Sequence, residues 1–214
     1  MIKILNDIPS VANHFLYEMR HKDIQKDRAK FRNNLKRLGM VMAYEISKTL
    51  AYQSSSVTSS LGATEIALIK ESPLIIAVLR AAIPFMDGFA EVFHDADIGF
   101  VGAWRKEGEG NLTVNLDYKA SPSLKGRTVI IVDPMLATGQ SIVKTINDLS
   151  LNGSAEHLHI ATAVSAPEGI DYVSRSIKQP FTIWTGALDE KLNEDAYIVP
   201  GLGDAGDLSF GPKL

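Results

Sequence analysis

The residues best suited to chemistry in this chain follow a short apolar run at positions 128–132. The run consists of threonine, valine and isoleucine, which favour a strand buried on both faces, and Pro134 cannot continue it. Asp133 is therefore expected at the carboxyl end of this strand, ahead of a loop of small and hydroxyl-bearing residues. A helix beginning near Ser141 would direct its first N–H groups into that loop, where a phosphate could accept their hydrogen bonds. The pattern predicts a site for a sugar phosphate.

A purely structural interpretation stays open when only the Thr-Gly-Gln-Ser part of this segment is considered. Strand–loop–helix junctions are common in α/β proteins, and Asp133 and Ser141 could shape a turn or cap a helix. The full run is more specific. It resembles the phosphoribosyl pyrophosphate (PRPP) binding motif of phosphoribosyltransferases, particularly the Asp-Pro-Met-Leu-Ala-Thr-Gly-Gly-Ser version of the uracil phosphoribosyltransferase family. Gln140 replaces the second glycine of that version.

This resemblance implies that the loop holds the ribose hydroxyls and the 5-phosphate of PRPP. It also implies Mg²⁺, bound mainly with PRPP, as the cofactor, and it suggests GTP as an effector. The implied PRPP-binding residues of the loop are Asp133, Pro134, Met135, Leu136, Ala137, Thr138, Gly139, Gln140 and Ser141.

Arg80 follows a second apolar run, at positions 74–79, and is a candidate for binding diphosphate. The small residues after it let an anion approach the backbone, and its guanidinium can donate charge-assisted hydrogen bonds. Taken alone, such an arginine more often closes a surface ion pair. The segment resembles the Leu-Arg-Ala-Gly diphosphate loop of the same family, which implies that Arg80 is a catalytic, PRPP-binding residue. Ala82 stands where the family has glycine, and its methyl group would be costly if the backbone there required a glycine-only conformation.

Arg105 ends a third apolar run in a similar way. It could simply form the base of a hairpin, balanced by Glu107. Its segment resembles the Val-Gly-Met-Tyr-Arg sequence of the family, with Trp104 replacing tyrosine, which implies that Arg105 also binds PRPP and acts in catalysis.

The glycine-rich tail at positions 193–207 is the second strong signature. Its glycines permit tight turns that expose peptide N–H and C=O groups, which can pair with the donor–acceptor–donor edge of a pyrimidinedione. A calcium loop is less consistent with the tail because its oxygen ligands lack the alternating spacing. The tail resembles the uracil-binding segment of the family, which implies that Ile198, Gly203, Asp204 and Ala205 bind uracil. By the same resemblance Asp204 is catalytic and faces PRPP and its metal ion. Leu208 departs from the basic residue that is usual there.

The elements that must position these residues alternate between strand and helix patterns. Apolar runs at 74–79, 98–104, 128–132, 157–164 and 181–184 are separated by helical patterns after Pro84, from Ser141 and after Pro167. This order predicts an α/β fold of the phosphoribosyltransferase type, with a mostly parallel twisted sheet flanked by helices. Ligands of such sheets bind at the carboxyl ends of the strands, so the loops with Arg80, Arg105 and Asp133 are expected to converge on one rim.

The whole chain, residues 1–214, is assigned to a single domain. A helical arm is predicted at about 10–51, with an amphipathic helix from about residue 27, and a weak strand or loop follows from about 53 to 72. A β-hairpin arm is predicted at about 105–119, where it would serve as a lid or a dimer arm. The base-binding tail, at about 187–214, is predicted to lack regular structure. Ser165 and Glu168 have capping-box spacing around Pro167, which suits the first turn of a helix.

Bulk composition narrows the functional classes. The 214 residues carry a formal charge of −3 from 22 basic and 25 acidic side chains, which disfavours nonspecific nucleic-acid binding. Cysteine is absent, so disulfides and thiolate metal sites are excluded. Neither a signal peptide nor a membrane span is recognisable, which predicts a cytoplasmic protein. A homodimer or homotetramer is expected, and the histidines, among them His157 and His159, are assigned no catalytic role.

These signatures together predict transfer of 5-phosphoribose from PRPP to uracil, giving UMP and diphosphate in pyrimidine salvage. One alternative is a noncatalytic PRPP- or nucleotide-binding regulatory homologue, which the departures at Ala82, Gln140 and Leu208 motivate. A second alternative is a phosphoribosyltransferase for another base, such as a purine, and the tail pattern disfavours it.

Overall fold

The structure is a computed structural model that describes residues 1–106, 113–151 and 153–212, with backbone only for 103–106 and 113–117. Its helices are α1 (Val11–Arg20), α2 (Arg28–Ser47), α3 (Ile83–Val92), α4 (Gln140–Ser150), α5 (Pro167–Ser176) and α6 (Ala205–Phe210). Its strands are β1 (Ile2–Ile4), β2 (Tyr52–Thr58), β3 (Ala63–Ile69), β4 (Leu74–Leu79), β5 (Asp97–Lys106), β6 (Thr113–Ala120), β7 (Thr128–Val132), β8 (Met135–Leu136), β9 (His157–Ser165), β10 (Phe181–Leu188), β11 (Lys191–Leu192) and β12 (Ile198–Val199).

One mixed sheet organises the described part of the chain, in the order β1-β10-β9-β7-β4-β5-β6, with β8 also paired to β9. All neighbours in this sheet are parallel except β5 and β6, which are antiparallel. The α/β fold with a largely parallel sheet is therefore confirmed. Pairing of β5 with β6 agrees with the predicted hairpin at 105–119, although its turn lies outside the described residues.

Helices cover both faces of this sheet because the central strands are apolar on both sides. On β4, Ile75 and Ala77 belong to a core shared with α1, α2 and α3, whereas Leu74, Ile76 and Val78 belong to a second core shared with α4 and α5. Alternate residues of a strand point to opposite faces, so a continuous apolar run satisfies both cores. Burial of the two layers fixes the strand ends that carry the candidate site.

The amino-terminal helices pack onto the sheet rather than projecting from it. Phe31, Leu35, Leu38, Met42 and Ile46 of α2 are all fully or almost fully buried, as the spacing of three and four residues predicts. Helix α2 begins after Asp27, whose side chain accepts a hydrogen bond from the Lys30 N–H, and ends four residues before the predicted end at about 51. The segment expected to be a weak strand or loop is instead a regular antiparallel hairpin, β2–β3.

The tail also differs from its prediction of irregular structure. Strand β10 continues to Leu188, strands β11 and β12 form an antiparallel pair, and α6 follows. Glycine lowers strand and helix propensity, yet short elements persist here because they dock on the rest of the fold. Among the described residues, no helix has the length and apolar character that a bilayer crossing requires.

His159 lies inside the sheet on β9 and accepts a hydrogen bond at Nδ1 from Trp184 Nε1, 3.1 Å away. Neutral imidazole has one acceptor nitrogen, so this contact needs the uncharged ring. Burial first, and then the nearby His157, lowers the pKa of His159 from 6.5 to about 4. Burial also lowers the pKa of His157.

Because the pKa of His159 is lower in the folded than in the unfolded state, the unfolded chain binds this proton at a higher pH than the folded protein does. Proton binding therefore stabilises the unfolded state as the pH falls. We therefore expect the free energy of unfolding to drop between pH 6.5 and about 4, with His159 contributing on the order of 3 kcal/mol to the loss. Denaturant unfolding at several pH values measures this slope. His159→Gln should flatten it, whereas the exposed His14→Gln should not. An unchanged slope in His159→Gln would contradict the assignment.

Candidate active site

The candidate site begins where two adjacent parallel strands end. Strands β4 and β7 are paired in register, from Leu74 opposite Val129 to Ala77 opposite Val132. Arg80 follows the first strand and Asp133 follows the second, so their backbones emerge at the same edge of the sheet. This edge is the one at which ligands bind in open parallel sheets.

The loop from Asp133 to Ser141 is anchored at its beginning by two hydrogen bonds of Asp133. The Asp133 N–H donates to the Ala161 carbonyl at 3.1 Å, and the Asp133 side chain accepts from the Met135 N–H at 3.1 Å. Gly139 is the residue before α4 and has a left-handed backbone, with φ 77°. Because α4 starts at Gln140, its first-turn N–H groups point towards the loop, as an anion site requires.

Gly139 also lies against the start of α5. A Cβ built on Gly139 would be 2.8 Å from the Gly169 carbonyl oxygen, and one built on Gly169 would overlap the Ala137 carbonyl oxygen. The segment 165–169 therefore supports the PRPP-type loop through backbone contact. The predicted capping box is wrong: the Ser165 hydroxyl is buried in the sheet and donates to Thr185 Oγ1, while Glu168 accepts from the Leu192 N–H. Pro167 does begin the helix, as predicted.

The tail approaches the same rim from the end of β10. Ile198 is buried in the β11–β12 pair, and Gly203 and Gly201 have positive φ angles of 89° and 59°. Asp204 precedes α6 and its side chain accepts from the Asp207 N–H at 2.9 Å, so it caps this helix. Ala205, the first residue of α6, is fully buried.

Arg80 links the strand rim to the tail. Its Nη2 forms an ion pair with Asp207 Oδ1 at 2.7 Å and donates to the Gly211 carbonyl at 2.9 Å. A Cβ built on Gly206 would lie 3.0 Å from Asp204 Oδ1 and 3.5 Å from Arg80 Nε, so both side chains approach the same side of Gly206. Among the described residues, Arg80 Nε is buried without a hydrogen-bond partner. Through Arg80, Asp204 and Asp133 belong to one rim.

Arg105 lies within β5 rather than after it, because this strand continues to Lys106. Its backbone pairs with Val114 on β6. The side chain of Arg105 lies outside the described residues.

The departures at Ala82, Gln140 and Leu208 require no unusual backbone conformation at those residues. Ala82 has φ −69° and ψ −20°, an ordinary helical conformation, so the cost considered for its methyl group does not arise. Gln140 is the first residue of α4, while the left-handed position falls on Gly139. Leu208 packs against the apolar core instead of presenting a charge.

The donor set at this rim is compatible with Mg²⁺ only if substrate phosphates supply most of the ligands. Within the described ranges, no group of three carboxylate or imidazole side chains could hold a metal by itself. Mg²⁺ is commonly held by one or two carboxylates together with substrate phosphates. Asp204, at the rim beside Arg80, is one carboxylate that such an arrangement could include.

Several residues that hold the site together were not identified from the sequence. Asp207 pairs with Arg80, Arg32 donates to the Ser209 carbonyl at 2.7 Å, and Arg20 bonds to both Asp189 and Gly201. Asp207 lies in the glycine-rich tail pattern, which could have drawn attention to it. No local signal marks the arginines, because their partners are far away in the sequence.

A largely parallel sheet, with a loop before a helix N-terminus and a turn-rich tail at its carboxyl rim, is the architecture expected of a phosphoribosyltransferase. A family model described as uracil phosphoribosyltransferase matches residues 9–212. The chain belongs to the uracil phosphoribosyltransferase family, which confirms the family prediction.

Individual relatives agree with this assignment. The uracil phosphoribosyltransferase of Porphyromonas gingivalis is 42% identical over 206 residues, covering 96% of this chain and 95% of that protein. That of Thermococcus kodakarensis is 39% identical over 187 residues, covering 86% and 80%. The solved structure of the AQ2163 protein from Aquifex aeolicus matches with a TM-score of 0.86 and 31% identity, covering 99% of this chain and 98% of that one.

The close approach of Gly139 to Gly169 predicts that Gly139→Ala weakens PRPP binding. The methyl group would meet a carbonyl oxygen and strain a left-handed residue, so we expect the dissociation constant to rise by about tenfold or more. Calorimetric titration with PRPP measures it. Gly126→Ala is the matched control, because Gly126 has φ +68° but open space around its Cβ. Equal PRPP affinity in the two variants would contradict this role of Gly139.

Proposed function

We propose that this protein transfers 5-phosphoribose from PRPP to uracil, giving UMP and diphosphate. The observation that carries the proposal is the meeting of Arg80 and Asp204 around Gly206, which joins the strand-end rim to the tail. A sugar diphosphate and a flat base would have to lie next to each other to react, and this rim offers adjacent surfaces for both. Family membership supports the choice of uracil.

The proposed reaction depends on charge stabilisation rather than on a protein nucleophile. The bond from ribose C1 to diphosphate breaks as the bond from C1 to uracil N1 forms, and the N1 proton is released. Arg80 and Arg105 are proposed to stabilise the leaving diphosphate, while residues 133–141 hold the ribose hydroxyls and 5-phosphate. Preorganised donors of this kind often contribute about 10²- to 10³-fold each to the rate.

Uracil is proposed to bind through peptide groups of Ile198, Gly203 and Ala205, next to Asp204. Peptide N–H and C=O groups can match the alternating donors and acceptors of the base. Asp204 is the residue proposed to hold Mg²⁺ together with PRPP, and the bound ion would neutralise charge on the diphosphate.

The proposal predicts that Asp204→Asn and Arg105→Ala lose most activity while staying folded. Asparagine is as good a helix-capping residue as aspartate, so Asp204→Asn removes the charge and preserves the start of α6. We expect a fall in kcat/KM of about 10²-fold or more in each variant. UMP formation from PRPP, Mg²⁺ and radiolabelled uracil measures it, and chelation of Mg²⁺ should stop the reaction.

Arg175→Ala is the control for loss of a surface arginine, because its side chain is 82% exposed. Full activity of Asp204→Asn and Arg105→Ala would remove the site assignment. PRPP binding without UMP formation by the unmodified protein would favour the regulatory alternative, and reaction with a purine would indicate another base. Adding GTP to the same assay tests the proposed effector. The cytoplasmic location stays a prediction.

A homodimer or homotetramer is proposed as the working state, with the β2–β3 hairpin at the contact. Val57, Ile66 and Leu68 point to the same face of the hairpin and are 43%, 50% and 50% exposed. Two-stranded hairpins are marginally stable alone in water, so cover from a second copy would stabilise this one. Glu65 is the one charge on the two strands, which suits an apolar contact.

Light scattering should therefore give a multiple of 23.3 kDa for the unmodified protein. Ile66→Glu should shift the mass towards that of a single chain, because a charge on the apolar face would be buried in the contact. Ala67→Glu adds the same charge to the opposite face of β3 and serves as the control. A single-chain mass before any substitution would overturn the proposal.

A further inference from the structure

Arg20, Asp189 and Gly201 form a closed hydrogen-bonded ring beside the tail. The two terminal nitrogens of Arg20 donate to the two carboxylate oxygens of Asp189, at 2.9 and 2.6 Å. Arg20 Nη1 also donates to the Gly201 carbonyl at 3.0 Å, and the Gly201 N–H donates to Asp189 Oδ2 at 2.9 Å. Both backbone polar groups of Gly201 are therefore bound to one ion pair.

This ion pair is buried enough to hold its geometry. The side chains of Arg20 and Asp189 are 23% and 5% exposed, respectively. A bidentate arginine–carboxylate pair fixes direction as well as distance, because both groups are planar. Asp189 follows β10 directly, and its N–H donates to the Ser165 carbonyl at 2.8 Å, so the carboxylate is anchored to the sheet.

The ring holds Gly201, which lies within the tail segment proposed to bind the base. Gly201 lies between Ile198 and Gly203, and a Cβ on Gly201 would overlap the Ile198 carbonyl oxygen. The adjoining Leu202 carbonyl is also held, by Gln25, whose amide nitrogen donates to it at 2.9 Å when the amide is oriented to satisfy both of its ends. Arg20 at the end of α1 and Gln25 after it thus donate hydrogen bonds to the carbonyls of two successive tail residues, Gly201 and Leu202.

We propose that Arg20 and Asp189 are positioning residues that set the peptide groups of the tail for the base. This inference rests on the proposed function, in which peptide groups at 198–205 bind uracil. Neither side chain needs to touch the substrate. Displacing a binding group by about 1 Å can cost on the order of 100-fold, so a small shift of Gly201 would be felt at the neighbouring peptides.

Two conservative variants test this role. Arg20→Lys keeps the positive charge but cannot hold two carboxylate oxygens and a carbonyl with one planar group. Asp189→Asn keeps the shape but replaces one acceptor oxygen with a donor that faces other donors. In steady-state assays we expect KM for uracil to rise on the order of 10- to 100-fold in each variant, with KM for PRPP changed less than about twofold.

The control is the exposed pair Arg175 and Asp171, 3.4 Å apart, substituted in the same way as Arg175→Lys and Asp171→Asn. These variants should keep both KM values. Equal rises in both KM values for Arg20→Lys, or no rise in either, would overturn the proposal. If Asp189→Asn does not fold, Arg20→Lys alone tests the proposal, because the Arg20 side chain is more exposed and its substitution disturbs the core less.

Amide hydrogen exchange of the ligand-free protein separates this inference from the proposed function. Amides at 198–205 should exchange faster in Arg20→Lys than in the unmodified protein, while those of β7 and α4 should keep their rates. Unchanged exchange at 198–205 would overturn the positioning role whatever the substrate. A protein that fails to convert uracil yet shows this local change would lose the proposed function and keep the structural role of the ion pair.

Discussion

Hydrogen bonds from arginine side chains to tail carbonyls are the constraint on which the candidate site depends. Arg20 on α1, Arg32 on α2 and Arg80 after β4 donate to the carbonyls of Gly201, Ser209 and Gly211, at 3.0, 2.7 and 2.9 Å. A glycine-rich segment loses much conformational entropy when it is ordered, so it needs strong partners to stay in one conformation. Charged donors supply them from three separate elements of the fold.

The sequence was sufficient for the features that depend on local pattern. Strands β4 and β7 have the predicted bounds. Each is a continuous apolar run that ends at a charged residue, Arg80 or Asp133, and this pattern is typical of buried parallel strands. The helical face of α2 followed from its spacing in the same way. Adjacent parallel strands then bring Arg80 and Asp133 to one edge without any knowledge of side-chain contacts. The family motifs added the identity of the expected ligands.

Features that depend on distant contacts were not predictable. Arg20 and Asp189 are separated by 169 positions, and neither lies in a pattern that marks it. The tail was expected to be irregular because glycine disfavours helices and strands, but docking against α2 and the sheet outweighs that preference. The Ser165 and Glu168 spacing suggested a cap, whereas the sheet continues to Ser165 and takes its hydroxyl into the core. Tertiary contacts override local propensity at all these places.

The ion pair between Arg80 and Asp207 places a counter-ion beside the candidate diphosphate-binding guanidinium. Both side chains are partly exposed, 34% and 40%, and such pairs typically contribute no more than about 1 kcal/mol. A hydrogen bond to a charged group contributes about 1.5–3 kcal/mol to binding or stability. A polyanion that accepts several such hydrogen bonds would therefore offset the loss of the ion pair with Asp207. In the structure, Asp207 and the Gly211 carbonyl hold Nη2 of Arg80, and the Asp207 carboxylate compensates its charge. A ligand that competes with Asp207 for this guanidinium would therefore need several negative charges, because one weak contact gains too little to break the ion pair.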